Sequence, residues 1–69
     1  MTDTRANLVY MANQIARNFA AQGDEAAIAA TADHITLFWA PRMKAELLAD
    51  QNGLCPTAAA AFKRLASDQ

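Results

Sequence analysis

At 69 residues the chain makes one domain near the lower size limit for independent folding, and its 54% hydrophobic share overstates the core, because 18 of those residues are alanine. Six Lys plus Arg against seven Asp plus Glu give a formal charge of −1, with no basic run longer than Lys63-Arg64, which excludes the phosphate-neutralising patch of a nucleic-acid binder. The one cysteine, Cys55, cannot close an internal disulfide, and no apolar run reaches the roughly 18 residues of a membrane span. The opening Met1-Thr2-Asp3-Thr4-Arg5 lacks the basic segment and apolar block of a signal peptide, so a soluble cytoplasmic protein without membrane contact is the expectation. With so much alanine inside, support from a partner or from self-association into a homo-oligomer is expected.

In chain order, Leu8, Met11, Ala12, Ile15 and Phe19 recur at spacings of three and four and predict a first helix from about Thr4 to Ala21. Asp3 or Thr4 can cap it, and Gln22-Gly23 supplies a stop. Tyr10, Gln14 and Arg17 share the opposite side, as scattered surface residues or as part of a contact surface. Asp24 is a suitable N-cap for a second helix over Glu25 to Phe38 or Trp39, with Ile28, Ala32, Ile35 and Trp39 on one stripe and Leu37 on its far side. A helix this apolar has more than one face to bury, and a small chain has few neighbours to cover them.

Pro41 ends that helix and opens the next at the position where its missing N–H costs nothing. Trp39-Ala40-Pro41 is therefore a Trp-x-Pro elbow, whose indole either bridges the two helices beneath it or is offered to another protein. The third helix is predicted from Pro41 to about Asp50, with Met43, Leu47 and Leu48 inward and Asn52-Gly53 as its stop. Arg42 and Lys44 in its first turn oppose the helix dipole by about 0.3 to 1 kcal/mol per charge, so a carboxylate elsewhere is expected to face them, Asp33 across the elbow before a partner's. Pro56 opens a fourth helix through Ala58, Ala61, Phe62 and Leu65, and the tail from Ala66 is expected to fray. The fold class is all-α, one compact bundle of three to four short helices over residues 1–69, with flexible ends at about 1–3 and 67–69.

The catalytic inventory is short. A lone His34 needs an orienting partner and a pocket to act as a base, and a nucleophilic Cys55 would have to meet it across 21 residues with a third group. One His and one Cys do not make a structural zinc site without carboxylates in unusual roles, and a cysteine-ligated iron–sulfur cluster is excluded within one chain. The two glycines lie 30 residues apart, so phosphate loops and dinucleotide fingerprints are absent. Catalytic, cofactor-binding and metal residues are all read as none, which leaves a small helical interaction module.

Two separated segments carry a resemblance. Leu8 to Ala16 followed by Asn18-Phe19, and Ala32-Asp33-His34-Ile35 with Phe38-Trp39-Ala40-Pro41-Arg42-Met43, resemble the delta subunit of NAD-dependent formate dehydrogenases over about Leu8 to Leu65. The resemblance implies a non-catalytic accessory subunit of a cytoplasmic complex, bound to a large subunit, alpha foremost. In that family the holoenzyme carries molybdenum or tungsten bis-pterin guanine dinucleotide, iron–sulfur clusters, FMN and NAD on its other subunits. The accessory role lies among assembly, cofactor insertion and stabilisation. With the two matching segments, the expected partner interface falls on Asn13, Gln14, His34, Phe38, Trp39, Arg42 and Met43; Asn13 and Gln14, which lie off the apolar stripe of the first helix, and Arg42 are foremost. The alternative is an independent helical adaptor or regulator with an unrelated target.

Overall fold

The chain folds back on itself wherever proline or glycine interrupts the helical pattern, and the computed structural model describes residues 4–67 of it. Helix α1 spans Thr4–Phe19 and tightens into a 3-10 turn over Ala20–Gln22; α2 spans Asp24–Phe38, α3 Pro41–Ala49 and α4 Pro56–Ser67. Gly23, at φ +97°, makes the first reversal in a backbone conformation that side chains disfavour. It also takes the N-cap position expected for Asp24, which instead begins α2, with Glu25 beside it, where the dipole favours a carboxylate. Thr4 is itself helical, and the alternative cap Asp3 lies outside the described residues.

Helix α2 packs against both α1 and α4, and α3 closes one end against α1 and α4. Phe62, Ile35 and Leu47 are fully buried at the centre, with Leu8, Trp39 and the alanines Ala12, Ala16 and Ala58 in the same cluster. Alanines at these positions let the helix axes approach closely, since interaxial distance follows the side chains at the contact. This also rotates α1 relative to expectation: Leu8, Ala12 and Ala16 face the core, whereas Met11 is 41% exposed and Ile15 and Phe19 are only part-buried. The buried hydroxyl of Thr31 donates to the Ala27 carbonyl at 2.6 Å, so its polar atom is satisfied within α2. The radius of gyration is 11.0 Å, matching the roughly 11 Å of a compact chain this long.

The elbow follows from Pro41. Ala40 is held extended at ψ 151° because the residue before proline avoids the helical region, and Trp39 is extended at ψ 137°. Its N–H still donates to the Ile35 carbonyl at 2.9 Å, so α2 ends cleanly. The indole turns inward to 6% exposure, with its ring 5.9 Å from that of Phe62, and thus braces the helices from beneath.

The α3–α4 connection departs from the expected glycine stop. Helix α3 ends at Ala49, and the Gln51 side-chain amide donates to the Leu47 and Leu48 carbonyls at 2.7 and 2.8 Å, satisfying the last turn before Gly53 is reached. Gly53, at φ +92°, serves a close approach instead: a Cβ there would sit 3.3 Å from Cγ1 of Val9 on α1. Arg5 fastens the same loop, donating to the carbonyls of Asp50 and Asn52 at 2.8 and 2.9 Å and lying 3.3 Å from the Asp50 carboxylate. At the other end of the chain Ala66 and Ser67 continue α4, where fraying was expected, and the Ser67 hydroxyl donates to the Lys63 carbonyl at 3.2 Å.

Candidate protein-docking groove

Because α1 is rotated, its Met11–Ile15 edge does not meet α2 squarely, and an open groove of about 370 Å³ remains between them. Tyr10, Met11, Gln14 and Ile15 form one wall; His34, Phe38, Trp39 and Met43 form the other, from α2, the elbow and α3. Phe38 is 72% exposed and Tyr10 64%, so large apolar side chains stand in solvent around the opening. Gln14 donates its amide to the Tyr10 hydroxyl at 2.9 Å, one helical turn away, which ties the α1 rim together. The His34 ring is wedged between aromatic neighbours, 4.8 Å from Phe38 and 6.4 Å from Phe19. A second groove of about 390 Å³, lined by Thr4, Leu8, Ala40, Arg42, Met43 and Glu46, shares the Met43 wall.

Five of the residues expected at a partner interface therefore share one groove: Gln14, His34, Phe38, Trp39 and Met43. Trp39 presents only an edge, being nearly buried, and Arg42 lines the adjoining groove. Among the described residues Arg42 pairs with neither Asp33 nor Glu46, contrary to the pairing expected across the elbow. Asn13 lies on another face of α1, where its amide is engaged within the chain: Nδ2 donates to the Gly53 carbonyl at 3.1 Å and Oδ1 accepts from the Cys55 N–H at 2.8 Å. Its displacement from the apolar stripe is explained by this loop contact. Tyr10, Met11 and Ile15 complete the groove; the sequence pattern puts Met11 and Ile15 on the core stripe, since periodicity alone cannot separate a buried stripe from its partly covered edge.

No carboxylate lines the first groove, and the imidazole of His34 and the guanidinium of Arg42 have no hydrogen-bond acceptor among the described residues. Cys55 borders a different, smaller depression with Asn13, Arg17 and Thr57, so it and His34 do not combine into a nucleophile–base pair. Among the described residues no three His, Cys, Asp or Glu side chains converge as they would to hold a metal ion. The arrangement is chemically suited to binding an apolar surface and supplying hydrogen-bond donors at its margins.

Residues 7–62 match the family described as NADH-dependent formate dehydrogenase delta subunit, FdsD. The chain belongs to that family. The matched span contains both walls of the groove, the elbow and the core through Phe62. A formate dehydrogenase delta subunit is one component of a multi-subunit enzyme, so its partners are the other subunits. No curated protein and no solved structure matches the chain. No helix among the described residues is long and apolar enough to cross a membrane.

Proposed function

We propose that this delta subunit is a non-catalytic accessory subunit of a cytoplasmic NAD-dependent formate dehydrogenase, docking on a larger subunit, alpha foremost, and supporting assembly, cofactor insertion or stability of the complex. The observation that carries the reading is the groove: a chain short of large core side chains leaves Tyr10, Met11 and Phe38 exposed around one opening. Covering such a patch is favourable at about 25 cal/mol per Å² of apolar surface, so a partner recovers what folding leaves exposed. In this reading the molybdenum or tungsten pterin, the iron–sulfur clusters, FMN and NAD belong to the larger subunits, where formate oxidation is coupled to NAD reduction. Affinity purification of the tagged chain from its native cell, followed by mass spectrometry, tests it. Large redox subunits are expected in the eluate, and their absence overturns the proposal.

A further inference from the structure

The shape and charge of the groove restrict what covers it. One wall comes from α1 and the other from the end of α2, the elbow and the start of α3, and the two openings that share Met43 extend the trough from Thr4 to Ile15 along α1. That is about 16 Å, or three turns of helix. Among the described residues there is no strand, hence no sheet edge to which an extended segment could add, whereas a trough between two helices accepts a third. Met11 and Met43 on facing walls add side chains that adjust to an apolar partner.

The charges around this trough favour one sign. Among the described residues the first groove contains no carboxylate, and His34, which carries an N–H donor in either neutral tautomer, has no acceptor there. At the elbow end Arg42 stands in the first turn of α3, a turn with no acidic residue and no side-chain cap on Ala40, so its charge and the helix dipole reinforce each other. Glu46 borders the second groove one turn further along α3 but does not pair with Arg42.

We propose that the trough receives one amphipathic helix of a larger subunit, with apolar side chains against Met11, Ile15, Phe38 and Met43 and a carboxylate at the elbow end that accepts from Arg42. The inference rests on the accessory-subunit reading above and names the form of its partner. Its test is crosslinking within the complex, with Phe38 replaced by the photoreactive p-benzoylphenylalanine, and in a second preparation Met11, both exposed and outside the buried core. The expected product joins this chain to a helical segment of a larger subunit that bears Asp or Glu within about two turns of the crosslink. Alongside, Arg42→Glu is expected to weaken the complex by about tenfold or more, as loss of a charged hydrogen bond does, while Lys63→Glu on α4 leaves it intact. A crosslink to a strand, to a helix without a carboxylate, or to a second copy of this chain overturns the inference, as does a complex that forms but crosslinks from neither position. In those cases the accessory reading stands, because the larger subunits still co-purify. If the unsubstituted chain recovers no larger subunit, both fall.

Discussion

Asn13 on α1 and Cys55, the residue before α4, are joined by a 2.8 Å hydrogen bond from the Cys55 N–H to Oδ1 of the Asn13 side chain, while Nδ2 of the same amide donates to the Gly53 carbonyl. One side chain thus satisfies two backbone groups of a loop with no regular structure of its own. Asn13→Ala is expected to cost about 1 to 3 kcal/mol, since a part-buried N–H loses its acceptor. At about 4 to 8 °C per kcal/mol for so small a domain, a thermal melt resolves the change. Asn13→Asp keeps the acceptor but not the donor and should fall between. An unaltered melting temperature for the alanine variant would show that water replaces the latch.

Trp39 and Phe38 are sequence neighbours with opposite fates, one nearly buried against Phe62 and the other 72% exposed. Trp39→Ala is expected to lose about 3 to 5 kcal/mol, enough to unfold a domain of this size. Phe38→Ser should change stability little and act on subunit binding instead. Circular dichroism melts paired with co-purification separate the two; equal destabilisation by both would mean that the Phe38 ring contributes to the fold through His34.

Arg42→Ala removes a cation from the wrong end of a helix dipole, so the isolated variant should be unchanged or steadied by about 0.3 to 1 kcal/mol. Binding to the larger subunit should nevertheless weaken by about 1 to 3 kcal/mol. If Lys63→Ala or Arg64→Ala disrupts binding while Arg42→Ala does not, the interface belongs on α4.

Without its partner, the exposed apolar rim should drive self-association at micromolar concentration, to a dimer or beyond. Replacing Met11 and Phe38 by serine is expected to return a monomer of 7.4 kDa. Light scattering that finds the unaltered chain monomeric across its soluble range would refute this. The same preparation should form no NADH from formate and NAD.

Much of the fold was legible because a few residues act locally. Pro41 and Pro56 begin α3 and α4 as their fixed φ demands, and Gly23 ends the first helical segment. What escaped was set by contacts distant in sequence. Gly53 reads as a helix stop, yet its conformation answers to Val9, 44 positions earlier. Nothing in the helical pattern marks Arg5, yet it fastens a loop more than 40 residues away. The candidate site was half visible: His34, Phe38 and Met43 stand out in the second motif, but that they share an opening with Tyr10 and Met11 depends on how far α1 is rotated about its axis. The buried face of α1 runs through Leu8, Ala12 and Ala16, and Ala16 lies outside the stripe that periodicity picks out, because alanine is a weak signal in a hydrophobic pattern.

Six of the buried residues are alanines, Ala12, Ala16, Ala27, Ala32, Ala58 and Ala61, and this inverts the usual mutational risk of a protein interior. Interiors are most often damaged by shrinkage, as when leucine becomes alanine and leaves a void. Here half of the buried positions among the described residues have already reached the smallest side chain that still favours a helix. What remains is growth, and each added methylene must push two closely packed helices apart, at about 1 to 3 kcal/mol for a typical overpacked site. Under random mutation, then, the tolerated drift of this subunit is confined to its surface and to exchanges among its few large side chains, while the alanine positions admit little beyond serine or glycine.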